Sequence, residues 1–291
     1  MQAYAQLKNV EAHKLFNRSK SWHVKFKNEE GIDSGGLFRE SLTLICNDLQ
    51  SNRLPIFIPC PNAQLADKAE GSGHNRNKWI PNPSCSHPRY QKLYEFVGRL
   101  LGLALWTDNT LPLDLPSFVW KPLLGQELCL EDLKDIDSYC GECLSFLTSD
   151  RDGDLTENNF NDIIFEYFQT VLSDGTVVDL KPNGAEIPVT YANRLEYVSL
   201  VQKTRLRESA KQLQWLRQGL SQVVPVGALS LLSWSELQDK VTGVPLIDID
   251  LLRVRHQLCL LYPVLTLTYS NTPATSCSRK MTPPLSCSGR C

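Results

Sequence analysis

No charge of either sign dominates this chain. Across 291 residues, 30 Lys and Arg face 32 Asp and Glu, a formal net charge of -2. That balance gives no electrostatic case for nucleic acid or an anionic membrane surface as a partner. Long apolar runs are also missing. The opening MQAYAQLKNVEAHKLF holds no stretch of signal-peptide type, and the late run from Leu258 to Tyr269 contains Pro263 and is too short to span a bilayer. The expectation is a soluble, cytoplasmic protein with no membrane span. Neither GxGxxG nor GxxxxGK[ST] occurs, so Gly35-Gly36 is not read as a phosphate loop. The 10 cysteines form no framework. They are scattered, and the single CxxC at Cys140 and Cys143 has no second pair or HxxxH at zinc spacing, so it reads as two small residues on one helix face. SDRDGDLTENNF begins like a calcium loop at Asp150, Asp152 and Asp154. It fails where glycine and a bidentate glutamate are needed, at Leu155 and Asn161, and reads as a polar turn before a helix. No cofactor or metal is expected.

What the chain does have is a 42% hydrophobic content, enough for a substantial core. Its organising stretch is LYEFVGRLLGLALWTDNTLPLDLPSFVWKPLLG (93 to 125). Apolar residues from Leu93 to Leu105 make a wide helical stripe, interrupted at Gly98, Arg99 and Gly102. Gly98 and Gly102 lie four apart on one face and cost about 1 kcal/mol each in helix propensity, which predicts that another backbone approaches there. Ser117 is expected to cap a second short helix ending before Gly125.

Around that hairpin, the first fifteen residues read as an amphipathic helix and WHVKFK (22 to 27) as a strand. Asp33 or Ser34 is placed to bond nearby amides, leading into a helix that buries Phe38, Leu42, Cys46 and Leu49. Residues 51 to 90 read as a long surface loop around a short strand, LPIFIP. Asn183-Gly184 predicts a hairpin at 176 to 190, and Tyr191 to Gly219 one long helix. Beyond Val254 there is no amphipathic period and no acidic residue, and no structure is assigned.

Several of these segments together resemble the HECT ubiquitin ligases. They are VKFKNEEGIDSGGLFRESL (24 to 42), YEFVGRLLGLAL with LDLPSFVWKPLLG (94 to 125), LEDLKDID (130 to 137), LKPNGAEIPVTYANRLEYVSL (180 to 200) and GLSQVVPVGALSLLSWSELQDKVTGVPLIDI (219 to 249), in family order. Asn75-Arg76 and VVPVGALSLL look most like the large subgroup that carries RCC-type propellers. The resemblance implies an α+β, mainly α-helical fold: a HECT N-lobe at 1–253 with short β-hairpins and a small inserted subdomain, within about 138–201, that binds a ubiquitin-conjugating enzyme.

It implies ubiquitin, a charged conjugating enzyme and an unknown protein substrate as partners. The chemistry implied is acyl transfer through a cysteine thioester to a substrate lysine, with no cofactor. Matching segment to segment, the docking wall would include Cys140, Cys143, Leu144 and Leu147 from one helix and Tyr197 and Val201 from another, Tyr197 as aromatic anchor. The alternative is that some of these are simply core. The resemblance stops near Arg253, before the family's catalytic C-lobe and its LPxxxTC motif. The tail at 254–291 imitates that motif only in TPATSC, ending at Cys277. The expectation is therefore a ligase fragment that keeps conjugating-enzyme binding without the thioester cysteine. The alternatives are an interaction module competing for that enzyme, and an unusual ligase using Cys277.

Overall fold

A computed structural model describes residues 2–10, 21–27, 32–65, 74–107, 109–149 and 155–244. PLIDIDLLRV, the tail and Cys277 lie outside the described residues. In chain order the helices are α1 (Gln2–Leu7), α2 (Gly36–Leu49), α3 (Pro61–Leu65), α4 (Gln91–Thr107), α5 (Ser117–Leu124), α6 (Leu130–Ile136), α7 (Ser138–Thr148), α8 (Phe160–Ile163), α9 (Arg194–Arg207), α10 (Ala210–Ser221), α11 (Val226–Leu229) and α12 (Trp234–Thr242). Strand β1 (Phe57–Pro59) pairs antiparallel with β2 (Trp79–Pro81), and β3 (Gln169–Val171) with β4 (Val177–Asp179). The class is α+β and mainly helical.

The larger core forms on α4, whose apolar stripe buries Phe96, Val97, Leu100, Leu101 and Leu103. Of the two glycines in that stripe, Gly98 meets the backbone its spacing predicts. A Cβ on Gly98 would lie 2.0 Å from the Leu216 carbonyl oxygen, and one on Gly219 would lie 2.0 Å from that of Glu95. Helices α4 and α10 thus cross with backbone against backbone, each supplying a glycine at the crossing. Gly102 faces a side chain instead, with its added Cβ 2.5 Å from Val223 Cβ.

A second core, with Phe118, Leu133, Ile136, Leu144, Leu147, Phe160, Phe168, Tyr197 and Val201 among its members, carries the small subdomain. Cys60 and Ile80 belong to it, so the supposed loop before α4 contributes more than a surface excursion. β2 pairs with LPIFIP there. The buried Asn62 amide donates to His74 O (3.1 Å) and Asp135 O (3.2 Å), and its carbonyl accepts from Ser138 N (2.9 Å).

Four local expectations are corrected. The hairpin lies upstream: β3 and β4 turn at Gly175 (φ 83°), whereas Asn183 (φ 59°) leads into a 3-10 turn. Gly184 does not share the positive φ that an Asn-Gly hairpin turn needs. The long helix is two, broken where Glu208 folds back onto Arg205 and the buried Ser209 hydroxyl donates to Pro81 O at 2.8 Å. WHVKFK pairs with no strand among the described residues. Val24 N donates to Asp33 Oδ2 (3.0 Å), while Gly35 N bonds Asp33 Oδ1 (2.9 Å) in the left-handed turn before α2. Finally, Pro116 occupies the cap position of α5, and Ser117 donates to Asp132 Oδ1 at 2.7 Å.

Asp132 is a buried node joining α5 to α6. It accepts from Ser117, from Lys121 Nζ (2.7 Å) and from Cys129 N (3.0 Å), closing a capping box on α6. Burial pushes its carboxyl upward, but the Lys121, Ser117 and Cys129 bonds prevail and hold it below the usual value. A depressed folded pKa stabilises above the unfolded value and loses that contribution as pH falls through the folded one. Asp132→Asn is therefore expected to cost on the order of 1–2 kcal/mol near neutral pH. The difference from wild type should vanish well below about pH 4, as read from urea midpoints across pH. A gap independent of pH would contradict this.

Candidate functional site

The small subdomain opens on one side into a cleft of about 820 Å³ between α7, the segment after α8, the β3–β4 hairpin and α9. All six residues named from the sequence line it: Cys140, Cys143, Leu144, Leu147, Tyr197 and Val201. They divide by depth. Leu144, Leu147, Tyr197 and Val201 are buried and form the floor, whereas Cys143 is exposed and Cys140 half-buried. Tyr197 is only 7% exposed, its ring edge-on to Phe168 at 5.7 Å, and burial drives its phenol upward in pKa. It forms part of the floor.

The rim was not legible from helical periodicity. Phe165 (77% exposed) and Tyr139 (72% exposed) stand at the opening with Phe146, Ile163, Val171 and Val177, all of them exposed. Phe165 sits in an extended segment fixed by backbone pairing, with Val189 N donating to Glu166 O (2.8 Å) and Phe168 N to Ile187 O (3.0 Å). The one sequence signal was the apolar run IIF at 163 to 165, next to a short helix that cannot bury it.

Behind the hairpin a buried ionic network fixes the walls. Arg205 on α9 donates to Asp137 Oδ2 (2.9 Å), Glu208 Oε2 (3.1 Å), Val171 O (2.9 Å) and Ser173 Oγ (3.2 Å). Asp137 also caps α7 by accepting from Cys140 N at 3.0 Å. One guanidinium therefore ties α7, α9 and the hairpin together. Burial raises the Glu208 carboxyl, opposed chiefly by Arg205 and by the Ser173 bonds.

The six described cysteines are free, and none is prepared as a nucleophile. Burial pushes Cys46 and Cys140 up to about 12 and also raises Cys60, Cys85 and Cys143. At Cys129 the Asp132 amide pulls down, but partial burial and the neighbouring carboxylates win. A thiolate is the form that attacks, and these sites disfavour it.

Residues 43–259 match the family model described as HECT-domain (ubiquitin-transferase). The chain belongs to the HECT family. E3 ubiquitin-protein ligase HERC2 of Mus musculus is 32% identical over 252 residues, covering 87% of this chain and 5% of that protein. E3 ubiquitin-protein ligase ptr1 of Schizosaccharomyces pombe is 30% identical over 232 residues, with 78% and 7% covered. E3 ubiquitin-protein ligase RSP5 of Chaetomium thermophilum is 29% identical over 251 residues, with 85% and 28% covered. The chain thus spans a small part of these relatives' length, and what it describes is a HECT N-lobe. Among the described residues no helix is long and apolar enough to cross a membrane.

Proposed function

We propose that this HECT N-lobe docks a ubiquitin-conjugating enzyme, charged with ubiquitin, in the cleft between α7, the hairpin and α9, as the first step of ubiquitin transfer to a substrate lysine. The observation that carries the reading is the exposed rim of Tyr139, Phe146, Ile163 and Phe165 over an apolar floor. Large side chains held out on ordered backbone around a concave surface are what a partner's hydrophobic loops bury, and such patches usually mark an interaction site. Because the described cysteines have raised thiol pKa values, the thioester step is assigned to none of them. The subdomain that carries this role draws on residues before 138 as well, through Asn62 and Ile80.

Phe165→Ala separates docking from folding, because the side chain is mostly in solvent. It is expected to weaken binding of conjugating enzymes by roughly tenfold, about 1.4 kcal/mol, with an unchanged urea midpoint. Titration calorimetry on the full chain reads this directly. Unchanged affinity in Phe165→Ala would remove the reading. In the same preparation, charged enzymes run on a non-reducing gel are expected to leave no reducible ubiquitin adduct. An adduct that disappears in Cys277→Ala would instead make the chain a ligase in its own right.

A further inference from the structure

Three charged side chains line the cleft, Asp137, Glu166 and Arg205, and two of them bind each other. Glu166 is different. Among the described residues its side chain has no hydrogen-bond or ion-pair partner, although it is carried on ordered backbone whose carbonyl accepts from Val189 N at 2.8 Å. Exposed Phe165 and Tyr167 flank it in sequence. Among the described residues, the lip of the cleft therefore presents a negative charge with no paired cation, set between apolar surfaces. Its field reaches the floor: after burial, the Glu166 carboxylate is the next cause raising the Tyr197 phenol.

In the free protein that carboxylate is hydrated. A partner that covers Phe165 takes water from its neighbour too, and a carboxylate stripped of water without a counter-charge opposes binding. We propose that Glu166 selects among docking partners by pairing with a lysine or arginine that the conjugating enzyme presents beside its apolar contact loops. The inference rests on the docking reading above and adds what that reading lacks, a reason for one conjugating enzyme to be preferred over another. Apolar contacts supply adhesion with little discrimination, whereas a charge at the lip rejects an enzyme that brings an acidic or a merely apolar side chain to that point.

The test uses the full chain and a panel of purified ubiquitin-conjugating enzymes, with association rates measured at low and high salt. For the enzymes that bind best, Glu166→Gln is expected to lower affinity about three- to tenfold, mostly through slower association, and to flatten the salt dependence. Glu166→Lys is expected to lose more than tenfold and to regain affinity when a lysine or arginine on the enzyme's docking face is changed to glutamate. Wild-type affinity and salt dependence in both variants, with Phe165→Ala still weakened, would overturn the charge selection and leave docking intact. Wild-type binding in Phe165→Ala as well would remove both. Because the side chain bonds nothing among the described residues, neither Glu166 variant is expected to shift the urea midpoint, which checks that folding is not what changed.

Discussion

Replacing Gly98 with alanine is expected to destabilise the lobe, although alanine is the better helix former. The propensity gain is about 1 kcal/mol. Against it stands a methyl group placed 2.0 Å from the Leu216 carbonyl oxygen and 2.8 Å from Leu220 N, both backbone atoms of α10. No rotamer change relieves such a contact, so the helices must separate and the core between them must loosen, at roughly 3 kcal/mol or more. The net loss is a large share of a domain's usual margin. Gly219→Ala should behave alike, since its methyl would meet Glu95 O at 2.0 Å. Gly102→Ala offers the internal control: its obstacle is the Val223 side chain, so Val223→Ala should recover part of the loss, whereas trimming any side chain should leave Gly98→Ala unrelieved. Urea unfolding of the single and double variants decides it. A neutral or stabilised Gly98→Ala would mean that the helices are not in backbone contact.

Arg205→Leu is expected to cost about 3–5 kcal/mol and to unfold the small subdomain. The substitution removes the guanidinium but leaves Asp137 and Glu208, two carboxylates that share its cavity, without their cation. It also strips the donor from Val171 O in β3. The sign of the pH effect distinguishes this mechanism from a simple loss of packing. Without its cation the Glu208 carboxyl, already raised by burial, would titrate higher still, so the variant is relatively more stable at low pH and loses ground as pH rises through the carboxylate range. The gap to wild type should therefore be widest near neutrality and narrow on acidification. A loss below about 1 kcal/mol, or one constant with pH, would show that water already solvates the network.

The sequence was most informative where one residue type answers to one physical demand. Gly98 and Gly102 could be read as a close approach because nothing else explains two glycines on the buried face of a long helix. Asp33 could be read as an amide acceptor because a carboxylate beside glycines has few other uses. The floor of the cleft was reachable through the family resemblance, which carried Leu144, Leu147, Tyr197 and Val201 to one place. The rim was not. Ile163 and Phe165 lie in a stretch with neither helical nor strand period, and the segment from Glu166 that follows them is held by pairing with residues near 188, far along the chain. The break between α9 and α10 escaped notice for a related reason: apolar spacing runs on through it, while Glu208 and Ser209 are turned aside by partners at Ser173, Arg205 and Pro81. Asn183-Gly184 misled because a dipeptide favours a turn without specifying which strands the turn joins.

The crossing of α4 and α10 also bears on how the lobe is made. A polypeptide leaves the ribosome from its N-terminus, and α4, the longest helix of the larger core, is complete long before α10 exists. Until residues near 219 emerge, the face of α4 around Gly98 has no covering. The residues of the small subdomain, from Cys60 to Val201, are by contrast all synthesised before that cover arrives. The order of synthesis thus completes the small subdomain first and leaves the larger core open until α10 is made, so the nascent α4 keeps apolar surface exposed in the interval.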